Sequence, residues 1–239
     1  MNPLQIIFED ENILVIDKPF GIVVNGVKSY KGFTLQDMIE EKINASGVSA
    51  DSEFRQRSGI VHRIDKETSG IVLVAKNEPA FIHLKNQFLT RTIEKEYKAV
   101  VCGKVEFENI EINAPIGRNP NNFIKMAIVG DERQSLTLVR RDSEKIFGEL
   151  TYTSVTVYPK TGRTHQIRVH LASIKHPVAG DPLYAGKSLY ALSFEIFKRM
   201  MLHARKILFQ SPTSNELVSF ESPLPKEFRQ GSGPGPILA

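Results

Sequence analysis

Short apolar segments separated by polar turns run along the chain, and most have the length of β-strands. The pattern predicts strands over 4–8, 12–17, 71–76, 95–103, 149–158 and 201–209, because these segments are β-branched or alternate between apolar and polar positions. Apolar residues at helical spacing predict helices over 35–44, 79–90 and 164–174. The stretch 104–147 is rich in turn residues and gives a weaker pattern.

These strands follow one another too closely for repeated strand–helix–strand units. We therefore predict an α+β fold with a large, mostly antiparallel sheet flanked by helices and loops. No internal repeat or linker interrupts the pattern, so we expect one domain over 1–230. The last residues, 231–239, include several glycines and prolines, which predicts a flexible tail.

Composition is that of a soluble globular protein, with 41% hydrophobic and 24% charged residues among 239. Cys102 is the single cysteine, which excludes a disulfide framework and a cysteine-based metal site. The sequence shows neither a signal-peptide pattern nor an apolar run long enough to cross a membrane. We therefore expect a cytoplasmic protein.

Positive charge is concentrated in one part of the chain, although the net charge is only +4. Residues 160–206 contain nine Lys or Arg residues, four histidines and two acidic residues, Asp181 and Glu195. Such a basic stretch is typical of a phosphate-binding surface. A solvated basic face explains the charge equally well.

The densest polar cluster precedes the apolar strand in 61–76, VHRIDKETSGIVLVAK. Loops held by rigid elements commonly carry chemistry, and Asp65 is the candidate we favour. A carboxylate can act as acid, base, nucleophile or metal ligand. The alternative is a structural loop held by an Asp–Arg pair and by hydroxyl hydrogen bonds. The other polar members of the cluster are His62, Arg63, Lys66, Glu67, Thr68 and Ser69.

Two further motifs are candidates for substrate binding. Tyr97, in KEYK, could stack on a nucleic-acid base or simply pack across strands. Residues 160–170, KTGRTHQIRVH, combine a helix start with arginines, which suits an anion. Arg168 lies near the buried edge of that helix and needs a partner, for which Asp65 is the natural candidate. The two histidines of this segment, His165 and His170, are five residues apart, so we do not expect them to form a zinc site.

The segment 176–184, HPVAGDPLY, predicts a rigid turn. We expect a structural role for it.

Taken together, these segments resemble the RluA-type family of RNA pseudouridine synthases. The matching strings, in the family's order, are SGIVHRIDKETSGIVLVAKN, KNQFLTRTIEKEYKAVVCG, APIGRNPNNFIKMAI, TGRTHQIRVHLASIKHPVAGDPLYAG and MLHARKILF, closing on SPLPKEF. PNNFIK and SLTLVRRD, within 118–147, depart from the pattern. The chain begins almost directly at the catalytic domain, so we expect no N-terminal RNA-binding domain.

The resemblance implies a mixed, mostly antiparallel sheet with a central cleft. It also implies roles for named residues. Asp65 would be the essential catalytic carboxylate, paired with Arg168. Tyr97 would stack on the flipped base and help to remove its C5 proton, and Arg63 would enter the space that the base leaves. Leu202 would line the pocket, and the predicted RNA contacts are completed by His62, Thr68, Arg163 and His165.

The implied activity is isomerisation of uridine to pseudouridine in structured RNA, without cofactor or metal. Large-subunit ribosomal RNA is the first candidate substrate and transfer RNA the second. Attack by the carboxylate on C1′ and action on C6 both remain open. The rival hypotheses are a non-catalytic RNA-binding protein and a nucleotide hydrolase or glycosylase. We expect a monomer with no obligate protein partner.

Overall fold

The computed structural model describes residues 4–26, 30–130, 132–147 and 150–229. They form two compact units. Of the described residues, the first unit contains those from residue 4 to Lys95 together with Ala204–Pro223, and the second contains those of Glu96–His203 together with 224–229. The predicted tail, 231–239, lies outside the described residues, and the prediction of one domain with a central cleft stays a prediction.

The strands, in chain order, are β1 (Gln5–Glu9), β2 (Ile13–Lys18), β3 (Ser69–Ala75), β4 (Glu94–Cys102), β5 (Asn109–Asn113), β6 (Ile116–Arg118), β7 (Met126–Ile128), β8 (Leu136–Phe147), β9 (Leu150–Pro159), β10 (Leu202–Gln210) and β11 (Leu217–Glu221). The helices are α1 (Leu35–Ile39), α2 (Glu53–Gln56), α3 (Glu78–Thr90), α4 (Gln166–Ser173) and α5 (Lys187–Phe197). Short 3₁₀ helices cover Glu40–Lys42 and Lys226–Arg229.

In the first unit, β2 pairs antiparallel with β1 and β3, and β10 pairs antiparallel with β11. Every residue of β3 is buried, as the apolar run in the sequence predicts. Helix α3 begins at an Asn77 cap and packs Phe81 and Leu84 into the core of this unit. Helix α1 is shorter than predicted, since the chain tightens into a 3₁₀ turn after Ile39.

In the second unit, β9 pairs antiparallel with β4 and with β8, and β8 pairs antiparallel with β5. Strands β6 and β7 form a separate hairpin. The weakly patterned stretch 104–147 therefore holds four strands, three of them only three to five residues long. Strands this short carry little apolar periodicity, which is why the sequence did not separate them.

Helix α5 was also not predicted, because it exposes Leu189, Leu192 and Phe194 and has no clean polar face. The predicted fold class is confirmed: the chain is α+β and its strands pair mostly antiparallel. Within the described residues, no helix combines the length and apolar character needed to cross a membrane.

Candidate active site

The polar loop at 62–68 lies in the first unit, and hydrogen bonds to its backbone tie it to neighbouring segments. Thr68 closes a turn by donating its N–H to the Asp65 carbonyl over 3.1 Å. The Lys66 carbonyl accepts hydrogen bonds from the Gly21 N–H at 2.8 Å and from the Lys18 Nζ at 3.2 Å. The Lys18 side chain is fully buried. Asp65 is half-buried at this turn, and Thr68 is buried behind it.

Gly70 fixes where the loop enters β3. Its φ of +108° lies in the region that favours glycine, and a Cβ there would meet the Ala204 carbonyl oxygen at 2.2 Å. A larger residue would push β3 away from β10. The loop therefore ends at a point where two backbones touch.

His62 is part of the support for this loop. Its Nε2 accepts the N–H of Leu73 at 2.9 Å, and its ring stacks on Phe88 with a centroid distance of 4.9 Å. Burial, aided by the nearby cations Lys95 and Arg57, lowers the pKa of His62 to about 3. The ring is therefore neutral at pH 7, with its proton on Nδ1 by inference from the hydrogen bond. Its predicted contact with RNA stays a prediction.

Arg168 lies in the second unit, on α4, and is as buried as its position beside Ile167 predicts. Its Nε and Nη2 donate to the two carboxylate oxygens of Asp181, at 2.7 and 2.8 Å. The two side chains are only 4% and 0% exposed. Asp181 also accepts the backbone N–H groups of Leu183 and Tyr184. The pair is bidentate and buried, so Asp181 strongly stabilises the charge of the Arg168 guanidinium.

Asp181 is a site residue that the sequence reasoning missed. It lies in the segment that was interpreted as a rigid turn, and a signal was present there: a lone carboxylate inside the otherwise apolar run VAGDPL. Buried charges in apolar surroundings require a partner. The pairing of Arg168 with Asp65 stays a prediction beside this observed one.

The loop before α4 is organised by Gln166. Its Oε1 accepts the Thr161 hydroxyl at 2.7 Å and the Arg163 N–H at 3.0 Å, while its Nε2 donates to the Leu136 carbonyl at 3.0 Å. Helix α4 begins only after His165, which adopts a left-handed conformation with φ of 55°. The helix therefore starts later than predicted, and Arg163 stays half-buried on the loop.

The two histidines of this segment have different surroundings, as their spacing predicts. His165 Nδ1 lies 2.8 Å from the Tyr184 hydroxyl. His170 is fully buried, with Nδ1 2.8 Å from the Thr137 hydroxyl and Nε2 3.2 Å from the Ala114 carbonyl. Among the described residues, no three His, Cys, Asp or Glu side chains form a group suited to a metal ion.

The remaining candidates of the second unit lie on strands. Tyr97 is half-buried on β4, opposite Val157 of β9. Leu202 is buried at the start of β10 in the same apolar core against which Tyr97 packs. The first unit thus carries His62, Arg63, Asp65 and Thr68, and the second carries Tyr97, Arg163, His165, Arg168 and Leu202. That Asp65 meets Tyr97 and Arg168 in one site stays a prediction.

The family model described as RNA pseudouridylate synthase matches residues 12–173. The chain belongs to the RNA pseudouridylate synthase family. The resemblance stated from the sequence is therefore confirmed, and the matched range contains Asp65, Tyr97 and Arg168.

Relatives with curated names support the same assignment. The chain is 38% identical to Ribosomal large subunit pseudouridine synthase D of Nitrosomonas europaea, over 94% of this chain and 63% of that protein. It is 39% identical to an Uncharacterized RNA pseudouridine synthase of Aquifex aeolicus, over 95% of this chain and 71% of that protein. It spans 59% of the length of the synthase D of Neisseria meningitidis.

Solved structures agree on the fold. Human RNA Pseudouridylate Synthase Domain Containing 1 superimposes with a TM-score of 0.72 at 28% identity, covering 93% of this chain and 84% of that one. Human RNA Pseudouridylate Synthase Domain Containing 4 gives a TM-score of 0.69 at 21% identity over 94% of this chain and 90% of that one. The second comparison supports the fold alone.

Proposed function

We propose that this protein isomerises uridine to pseudouridine within a structured RNA. The observation that supports the proposal is the match of the family model to residues 12–173. The reaction breaks the N1–C1′ bond of a uridine, turns the base, and forms a C5–C1′ bond; C5 loses its proton and the released N1 takes one up. Neither a cofactor nor a metal ion is part of the proposal.

In this proposal the target base leaves its stack, because a stacked base cannot be reached. Arg63, which is exposed in the loop, takes the vacated space. Tyr97 stacks on the flipped base, and base–aromatic stacking contributes about 1–3 kcal/mol. Leu202 gives the pocket an apolar wall. The stacking on protein side chains offsets part of the cost of flipping.

Asp65 is the proposed catalytic carboxylate and acts in its charged form on C1′ or C6. A guanidinium beside it keeps the charge on the carboxylate in a dry pocket. Arg168 suits this role because two hydrogen bonds to Asp181 already hold the Arg168 guanidinium in one orientation. An ordered side chain loses little further entropy when it forms another bond.

We propose large-subunit ribosomal RNA as the substrate and transfer RNA as the second candidate. Support comes from the relatives, several of which are named for the large ribosomal subunit. The basic stretch 160–206 supplies charge for phosphate contacts. We further propose a monomer that acts in the cytoplasm without a membrane or an obligate protein partner.

The test uses ribosomal and transfer RNA transcripts labelled with tritium at C5 of uridine. Pseudouridine formation replaces the C5–H bond, so the wild-type protein should release tritium into water and leave the RNA chain intact. Asp65→Asn should release none while binding the same RNA.

Two outcomes contradict the proposal. Free uracil among the products would indicate a glycosylase. RNA binding without tritium release from any transcript, together with tighter binding by Asp65→Ala, would indicate a non-catalytic RNA-binding protein, since a carboxylate facing phosphates weakens binding.

A further inference from the structure

Tyr184 contacts three different parts of the second unit. It ends the segment 176–184, for which the sequence suggested only a structural role. Its hydroxyl accepts the N–H of Met126 on β7 at 2.8 Å and lies 2.8 Å from His165 Nδ1. Its ring faces Arg168, whose Cζ lies 5.1 Å from the ring centroid. One side chain therefore touches the β6–β7 hairpin, the start of α4 and the buried guanidinium.

The ring and the backbone of Tyr184 both act on Arg168. The ring face offers a cation–π contact to the guanidinium. The Tyr184 N–H donates to Asp181 Oδ1 at 3.2 Å, and the same oxygen accepts Arg168 Nη2 at 2.8 Å. The Asp181 carboxylate thus holds the Arg168 guanidinium by hydrogen bonds, and the Tyr184 ring covers its face. Removing the ring would loosen the guanidinium without removing its counter-charge.

The hydroxyl acts on a different element. Met126 opens β7, the second strand of a hairpin whose tip exposes Phe123 and Ile124 by 77% and 72%. Arg118, which pairs with Met126 where the loop leaves the two strands, donates to the Phe123 carbonyl at 2.9 Å and orders the tip. Exposed apolar side chains beside cations suit insertion between nucleic-acid bases. The Tyr184 hydroxyl therefore anchors a hairpin with the chemistry to touch RNA.

We propose that Tyr184 is a positioning residue with two separable functions: its ring orients Arg168, and its hydroxyl anchors the β6–β7 hairpin for RNA binding. The inference deepens the proposed function and rests on it, since Arg168 matters here as the partner of the catalytic carboxylate. A shift of the hairpin on RNA binding would reach the Arg168 guanidinium through the Tyr184 side chain alone.

Two substitutions separate the functions. Tyr184→Phe keeps the ring and removes the hydroxyl, so KM for RNA should rise roughly tenfold while kcat stays within about twofold, as expected for one lost hydrogen bond. Tyr184→Leu removes both, so kcat should also fall by about tenfold. Tyr190→Phe, on α5, is the matched control and should change neither constant.

Amide hydrogen exchange at Met126 provides a readout independent of activity. Both Tyr184 variants should lose protection there, while Tyr190→Phe should keep it. Equal effects of Phe and Leu on kcat, or wild-type protection at Met126 in Tyr184→Phe, would overturn the proposal. If the wild type makes no pseudouridine, the proposed function fails by itself, and the exchange result still decides whether the hydroxyl anchors the hairpin.

Discussion

Two carboxylates, Asp65 and Asp181, show how differently the two units use the same group. Asp181 is fully buried and accepts hydrogen bonds from Nε and Nη2 of Arg168 and from two backbone N–H groups. Asp65 is half-buried at a turn in which its backbone carbonyl accepts the Thr68 N–H. The Asp181 carboxylate is fully buried against an arginine, whereas Asp65, which we propose as the catalytic carboxylate, is partly exposed.

The comparison separates a positioning residue from a catalytic candidate by burial and bonding rather than by residue type. It leads to opposite expectations. Loss of the Asp65 charge should abolish chemistry at little expense in folding, whereas loss of the Asp181 charge should destabilise the second unit. Asp65→Asn and Asp181→Asn test that contrast directly, and two further experiments, with smaller expected effects, examine His62 in the first unit and Arg163 in the second.

Asp65→Asn should reduce pseudouridine formation by at least about a thousandfold, because the neutral amide cannot serve as base or nucleophile. Single-turnover tritium release measures the rate, and fluorescence anisotropy should show nearly unchanged RNA affinity. Glu67→Gln, on the same half-buried loop, is the matched control and should retain most activity. A comparable loss in Glu67→Gln would remove the distinction that we assign to Asp65.

Asp181→Asn should lower the free energy of unfolding by about 3–5 kcal/mol, because the buried Arg168 guanidinium would lose the carboxylate charge to which its Nε and Nη2 donate. Urea denaturation measures the change. Asp142→Asn is the control, since Asp142 pairs with Lys98 on a more accessible face of β8, and its loss should stay below about 1 kcal/mol. Similar values for the two variants would show that the buried pair is not special.

Acidification should destabilise the protein through His62. The folded pKa of about 3 lies below the ordinary value of 6.5, so the unfolded chain takes up a proton first. Stability present above pH 6.5 is therefore lost progressively as the pH falls toward 3, by an amount on the order of a few kcal/mol. Urea denaturation across this range measures the loss.

His62→Gln should flatten that pH profile, because glutamine does not titrate and can still accept the Leu73 N–H. Part of the slope should remain, since burial also lowers the pKa of His170. An unchanged profile in His62→Gln would contradict a neutral, buried imidazole at this position.

The smallest effect is expected for Arg163, a predicted RNA contact in the second unit. Arg163→Gln should weaken RNA binding and make the slope of log affinity against log salt shallower by about 1, as for one lost phosphate contact. Lys104→Gln, which removes an exposed lysine paired with Glu106, should leave the slope unchanged. A steeper dependence in Arg163→Gln would exclude a phosphate contact by this side chain.

Much of the fold followed from local pattern. The buried run of β3, the alternating strands and the amphipathic face of α3 were predicted because burial on one or both sides leaves a periodic trace in the chain. The four strands within 104–147 and helix α5 left no such trace. Helix α5 is largely exposed, strands β5 to β7 are too short to show a period, and the pairing of β5 with β8 joins segments about 30 residues apart in sequence.

The candidate site likewise has features that the sequence predicted and features that it did not. The sequence by itself determined which chemical groups are present: a carboxylate on a loop before a buried strand and a buried arginine on a helix. It also indicated the family to which the chain belongs. Only the tertiary structure decided which groups are committed to one another, because Arg168 and Asp181 are separated by a turn and Tyr184 reaches a hairpin far from it in sequence. Periodicity reports whether a residue is buried, and three-dimensional packing alone determines what it is buried against.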